Sequence, residues 1–366
     1  MTKPFGLYIH IPFCKSKCPY CDFYSSCKSQ SEYDEYTSLL ISKIKLWSKK
    51  TNRTVTTIYF GGGTPSILGA DRLCRILKSI KSNFNVDINA EISVEINPDS
   101  GKTIDFTALK NCGFSRISVG MQSANSKELK VLGRIHSADD AKLTIERAKL
   151  SGINNISLDL MLGIPYQTLD TLKESINFCN ECGVTHISSY ILKIEKNTPF
   201  WKMQNELILP DEDTQADIYL NTVNMLDTLG YKQYETSNFA KPGYESQHNI
   251  NYWKCGEYLG IGPSAHSFFE EKRFYYDRNI EDFRNDKTTF DCFGGSEEEY
   301  IMLSLRLKSG LNFKEYKNKF GEDISDKTLK KLKLYSEHGF MELDDEKVCF
   351  TPNGFLVSNT ILSDLM

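Results

Sequence analysis

The segment Tyr8-Ile9-His10-Ile11-Pro12-Phe13-Cys14-Lys15-Ser16-Lys17-Cys18-Pro19-Tyr20-Cys21-Asp22-Phe23 places three thiols, Cys14, Cys18 and Cys21, within eight residues. Thiolates are soft ligands that suit zinc or an iron-sulfur cluster. A structural zinc site wants a fourth Cys or His. Cys27 follows Cys21 by six positions and can complete such a site, whereas His10 lies on the preceding apolar run in the wrong direction. A cluster held by three thiolates keeps one iron open for a substrate or cofactor, so three ligands rather than four signal chemistry.

Further polar groups recur where apolar runs end. Gly61-Gly62-Gly63-Thr64-Pro65 can bring backbone amides close to a ligand, or can simply form a tight turn. Glu95 stands just before Asn97-Pro98, Gln122 follows Gly120-Met121, and Asp159 lies in Leu158-Asp159-Leu160-Met161-Leu162-Gly163-Ile164-Pro165. Each alone reads equally well as a solvated strand end.

The elements that must position these groups are strands at Leu7–Ile11, Thr56–Phe60, Glu91–Ile96, Arg116–Gly120, Ser157–Met161 and His186–Leu192. Helices are expected at Glu32–Lys49, Asp71–Phe84, Ala138–Ser151, Leu169–Cys182 and Asp211–Leu229, where apolar residues recur at intervals near three and four. Repeated strand-helix units predict an α/β fold with a full or partial (β/α) barrel, a doubly wound sheet being the alternative. The carboxyl ends of barrel strands share one cleft, which would gather the groups above. The division expected is 1–230 for the barrel core, 231–290 for an aromatic-rich connecting segment, and 291–366 for a small α+β domain. That tail reads as helices Glu297–Leu307, Phe313–Phe320 and Thr328–His338, then a hairpin across Phe340–Phe350, which resembles a winged helix.

The 366 residues carry 44 basic and 48 acidic side chains, and acidic residues outnumber basic ones in the tail, so no nucleic-acid footprint is expected. Eleven cysteines in a chain able to build a large core point to a reducing, cytoplasmic setting. Neither a signal peptide nor an apolar run long enough for a membrane helix is expected.

The Cys-x3-Cys-x2-Cys spacing after a first strand, joined by the downstream segments, resembles the radical S-adenosylmethionine superfamily. Within it the chain is similar to the branch of oxygen-independent coproporphyrinogen III dehydrogenases and HemW-type haem chaperones. The resemblance implies a partial radical-SAM barrel and a 4Fe-4S cluster on Cys14, Cys18 and Cys21, with S-adenosylmethionine chelated at the open iron. It also implies cofactor contacts from Tyr8 and Tyr20 at the cluster, and from Gly62, Gly63 and Thr64 at the methionine end. Glu95 and Asp159 would meet the ribose, and Gln122 and Arg134, the latter in Leu132-Gly133-Arg134, would add polar contacts. The tail motif Thr351-Pro352-Asn353-Gly354-Phe355 belongs to the same resemblance.

Two departures separate the chain from the dehydrogenases. Phe23 stands where that enzyme has a fourth cysteine, and seven residues precede Tyr8 in place of a long N-terminal arm. Ser246-Gln247-His248-Asn249-Ile250-Asn251-Tyr252-Trp253 instead matches the His-Asn-x-x-Tyr-Trp signature of the chaperones. His248 is thereby implied as a haem contact, with Tyr252 and Trp253 as flat apolar surface, while His266 and Cys255 compete as iron ligands. On residue type alone the segment also reads as a turn beside core aromatics. The function implied is haem binding and transfer to acceptor haemoproteins, with a homodimer among the associations left open. The alternatives are a radical oxidase or methyltransferase acting on a tetrapyrrole, and a zinc-stapled scaffold.

Overall fold

The computed structural model describes residues 4–366. In chain order, the first half runs β1 (Phe5–Ile11), α1 (Gln30–Trp47), β2 (Thr54–Gly62), α2 (Gly69–Asn83), β3 (Asn85–Ile96), α3 (Pro98–Gly101), α4 (Phe106–Cys112), β4 (Arg116–Gln122), α5 (Ser126–Val131), α6 (Ala138–Leu150), β5 (Asn155–Leu162), α7 (Leu169–Glu181) and β6 (His186–Ile191). There follow α8 (Pro199–Lys202), α9 (Glu212–Thr228), β7 (Lys232–Gln233), β8 (Asn238–Ala240), α10 (Gln247–Trp253), β9 (Glu257–Ile261), β10 (His266–Phe269), β11 (Lys272–Tyr276), α11 (Ile280–Arg284) and β12 (Thr288–Phe293). The tail holds α12 (Glu297–Ser304), β13 (Leu311–Asn312), α13 (Phe313–Phe320), α14 (Asp326–Glu337), β14 (Met341–Leu343), β15 (Lys347–Phe350), α15 (Pro352–Leu356) and α16 (Ser358–Leu365).

Strands β1 to β6 pair in sequence order, all parallel. Each right-handed crossover adds its strand on the same side, so the helices collect on one face and the sheet curls around the other. A doubly wound sheet would reverse its order at some point, and this one does not. The sheet stays open, with β12 and β7 as its two edges. The expected partial barrel is the fold observed.

Strand patterning explains the two faces. Phe5, Leu7, Ile9 and Ile11 of β1 are fully buried beneath the helices, and Ile58 and Phe60, Val94, Ile117 and Val119, and Leu158 continue that layer. Each such side chain contributes about 2 kcal/mol by leaving water. The alternate residues, among them Tyr8, Tyr59, Glu95, Ser118 and Asp159, face the lumen, a polar stripe inside otherwise apolar strands. Helix starts are marked by capping boxes at Ser29/Glu32, Ser137/Asp140 and Thr168/Thr171, which satisfy amides that the helix itself leaves unpaired.

The division expected at 230 and 291 differs from the sheet. Residues 231–290 form no unit of their own: β8 pairs antiparallel with β6 and β7 antiparallel with β8 at one edge, while β9 pairs parallel with β1 and leads into β10 and β11 on the other side. Strand β12 crosses the 291 boundary and still belongs to the large sheet. The separate three-stranded sheet β13-β15-β14, with its helices, begins after Gly295. Its β14–β15 pairing, Met341 opposite Phe350, is the expected hairpin. No helix among the described residues is long and apolar enough to cross a membrane.

Candidate functional site

The cysteine loop leaves β1 at the carboxyl end of the barrel and is pinned by its own backbone. Ser26 donates to the Pro12 carbonyl at 2.9 Å, Cys14 N–H to Ser26 at 3.1 Å, and Cys21 N–H to Cys18 at 3.1 Å. Cys14, Cys18 and Cys21 are free and half-buried, and burial raises the Cys21 thiol above its ordinary range. Cys27 is exposed and donates to the Lys15 carbonyl at 3.2 Å. Among the described residues no three His, Cys, Asp or Glu side chains converge closely enough to share one metal ion. Thiolates that each bind a different iron need no common point, so the loop suits a polynuclear cluster better than the zinc site weighed from sequence.

The glycine loop after β2 packs against the cysteine loop. Gly63 N–H donates to the Ile11 carbonyl at 2.9 Å and Thr64 N–H to the Phe13 carbonyl at 2.7 Å. Those two amides are spent on the cysteine loop rather than held out for a ligand. A side chain on Gly63 would start 2.5 Å from the Phe13 carbonyl oxygen, and one on Gly62, whose φ is +114°, would meet the His10 ring. The glycines therefore let β2 lie against the loop, and the Thr64 hydroxyl reaches Cys14 Sγ at 3.5 Å.

From the other side, the turn after α5 meets the loop. Arg134 Nη2 donates to the Tyr20 hydroxyl at 2.5 Å, Gly133 faces Pro19, and the Arg134 Nε is buried without a partner. The Phe200 amide of α8 donates to the Pro19 carbonyl at 3.0 Å. Gln122 ends β4 buried, with a left-handed φ of +77°.

Glu95 and Asp159 both point into the lumen below the loop. Asp159 accepts from Ser118 at 2.9 Å and from Ser157 at 3.4 Å, while Glu95 accepts from Tyr59 at 3.0 Å. Burial first, and then the Asp159 charge, lift the Glu95 carboxyl to about 7, against the bond from Tyr59 that lowers it. Tyr8 donates to or accepts from His10 Nδ1 at 3.0 Å beside them. Ser118, Ser157 and Tyr59 escaped the sequence reading; their signal is the same alternation that puts Glu95 and Asp159 on the lumen face.

His248, expected as a haem contact, is packed into the barrel floor. It lies on α10 against β1 and β2 at the amino end of the barrel, away from the cysteine loop, with 1% of its surface exposed. Its Nδ1 bonds Thr57 at 2.8 Å, its Nε2 bonds the Tyr252 hydroxyl at 2.7 Å, and its ring stacks on Tyr59. Its backbone amide and that of Gln247 donate to Glu91. With both nitrogens bonded and no open face, the imidazole is not presented to haem iron. The buried Arg116 and His186, the latter bonding Ser157 and Tyr234, continue this polar floor. Of the two competitors, Cys255 is buried beside Glu299, and His266 is exposed on β10 and stacked on Tyr275.

Comparison with known proteins agrees with this architecture. Residues 8–179 match the Radical SAM superfamily and residues 298–357 the HemN C-terminal domain. The solved structure of the Escherichia coli coproporphyrinogen III oxidase HemN, described as a radical SAM enzyme, aligns over 100% of this chain and 90% of its own with a TM-score of 0.84; at 21% identity the likeness concerns the fold. Barrel, cysteine loop and tail thus define a protein of the radical SAM class with a HemN-type C-terminal domain. Relatives named heme chaperone HemW are 41% identical in Haemophilus influenzae, over 72% of this chain and 70% of the relative, and 33% identical in Lactococcus lactis, over 100% and 98%. The chain belongs to the heme chaperone HemW family.

Proposed function

We propose that the chain binds haem and passes it to acceptor haemoproteins, with a 4Fe-4S cluster on Cys14, Cys18 and Cys21 and S-adenosylmethionine beside it. Membership of the HemW family supports the haem role. The observation that carries the cofactor reading is Glu95, a lumen carboxylate beside Asp159 that accepts from Tyr59 at 3.0 Å and is still lifted to about 7 by burial, so that further donors would favour its charged form. Two vicinal ribose hydroxyls supply such donors, and Asp159 lies close enough for its charge to be felt there. Arg134, with its buried and unpartnered Nε, offers a donor to an anionic group and holds Tyr20 between the cluster ligands. Tyr8 lies on the same lumen face and Gln122 ends β4, while Gly62, Gly63 and Thr64 hold the loop that carries Cys14. A cluster with one open iron, when bound, supplies a chelation point for the cofactor's methionine end and a source of single electrons.

Anaerobic reconstitution followed by haem titration tests this reading. We expect a brown chromophore lost in Cys14→Ala, Cys18→Ala and Cys21→Ala, and saturable haem binding by the loaded wild-type chain. Full iron and sulfide in those variants would demand other ligands. The second reading, a coproporphyrinogen dehydrogenase, is tested on the same sample. Phe23, two-thirds exposed where that enzyme has a cysteine, leads us to expect no protoporphyrinogen, and turnover would favour the enzyme.

A further inference from the structure

We propose that Cys74 and Cys112 form a site of reversible oxidation, at which Cys112 takes up a low-molecular-weight disulfide in the groove between α2 and α4 and Cys74 resolves it to a disulfide tying the two helices together. The site lies on the helical outside of the barrel and is independent of the haem reading.

The two thiols stand 38 positions apart in the chain, and the fold closes that gap. Helix α2, which follows the glycine loop, packs against α4, which follows the strand of Glu95. The Cys74 thiol donates to the Ala108 carbonyl at 3.5 Å, one turn before Cys112, and the Cys112 thiol donates to the Cys74 carbonyl at 3.6 Å. Each sulfur therefore rests on the turn that carries the other, and the two thiols are within hydrogen-bond reach of each other. Sulfurs so placed need side-chain rotation and a small approach to bond at about 2 Å. Cys179 and Cys182 are also neighbours, but both are buried.

The Cys74–Cys112 pair is asymmetric. Cys74 is buried, and burial together with Cys112 as its hydrogen-bond acceptor lifts its thiol to about 12, whereas Cys112 is half-buried. Cys74 thus keeps its proton while Cys112 presents the sulfur that meets a reagent. Lys81 Nζ donates to the Cys112 carbonyl at 2.9 Å, offsetting the negative end of α4, and at Cys74 the charge of Lys78 is opposed by that of Asp71. Both cysteines line an open groove of about 970 Å³, a volume that admits a peptide-sized disulfide. In the first step the Cys112 thiolate attacks one sulfur of the reagent, and the released thiolate takes up the proton that Cys112 gave up. In the second, the Cys74 thiol loses its proton and attacks Cys112 Sγ, releasing the second reagent thiol. Two protein thiols are oxidised and one disulfide is reduced, so no other electron acceptor is needed.

The test treats the full-length, cluster-loaded chain anaerobically with glutathione disulfide, quenches it in acid, alkylates it and weighs its peptides, with retained cluster absorbance as the check on folding of each variant. We expect the peptides holding Cys74 and Cys112 to be linked, lighter than the two free thiols by two hydrogens, and separated again by dithiothreitol. In Cys74→Ser, Cys112 should stop at the mixed disulfide and carry one glutathione; in Cys112→Ser, Cys74 should stay reduced. Glutathione on the exposed Cys27 and Cys292 marks an active reagent. Its presence there with Cys74 and Cys112 both left as thiols in the wild-type chain would overturn the proposal. A mixed disulfide persisting on Cys112 of the wild-type chain, or glutathione on Cys74 in Cys112→Ser, would overturn it as well.

Discussion

Glu95 and His248 share one lumen and respond to burial in opposite directions. Glu95 is lifted from 4.5 to about 7 and His248 lowered from 6.5 to about 3, in both cases chiefly by desolvation. The folded chain therefore holds a proton on Glu95 that the unfolded chain releases above 4.5, so stability from this site is full below 4.5 and falls as pH rises to 7. His248 acts in reverse: its neutral form costs nothing above 6.5 and costs progressively more as pH falls toward 3. Because the two components oppose each other below 6.5, the Glu95 part, a fall of up to about 1 kcal/mol per unit between pH 5 and 7, is read as the difference in slope between the cofactor-free wild type and Glu95→Gln in chemical denaturation. Glu95→Gln should remove that component; an unchanged slope would contradict its burial as the cause. His248→Ala strands the Thr57 hydroxyl and the Tyr252 hydroxyl and should cost about 2–4 kcal/mol, with the spectrum of bound haem unaltered. A spectral shift in that variant would restore His248 as an iron ligand. The three thiols and both lumen carboxylates were legible because charge and sulfur at strand ends stand out in sequence. The burial of His248 was not, since an imidazole followed by Tyr and Trp reads alike as a ligand surface and as a packed floor.

The same limit appears among the elements. Helices α1, α6 and α7 were legible from apolar spacing and caps, and β1 to β6 from their β-branched runs. Strands β7 and β8, two and three residues long, carry no period to detect and are made by pairing, β8 with β6 and β7 with β8, rather than by local preference. The glycine loop was visible, and the structure adds a packing role to it: its missing side chains admit the cysteine loop. Gly63→Val should consequently push Phe13 and Cys14 out of place, lowering iron incorporation at least severalfold while the far-ultraviolet dichroism of the sheet is retained. Normal iron content in Gly63→Val would show that the loop has room the structure does not display.

Across the whole molecule, the tail is fastened to the barrel by specific bonds. Arg273 of β11 donates to Glu299 of α12 at 2.5 Å, Thr236 N–H to the Arg306 carbonyl at 3.1 Å, and Lys308 N–H to the Tyr234 carbonyl at 2.9 Å. Tyr234 is also a member of the barrel floor through His186. A chain ending at Gly295 would leave these groups unpaired and uncover Cys255 and its surroundings. We expect it to aggregate or to melt at least about 5 °C lower, and unchanged melting would show that the tail is an independent attachment. A different consequence follows from the parallel pairing of β1 with β9. The strand that launches the cysteine loop is made before the other described strands, yet one of its two neighbours is made some 250 residues later, at Glu257–Ile261. Until then β1 has an unpaired edge next to three free thiols. The nascent chain thus passes most of its synthesis with Cys14, Cys18 and Cys21 next to an unfinished strand, and the three thiols gain their folded surroundings at the last stage of folding rather than the first.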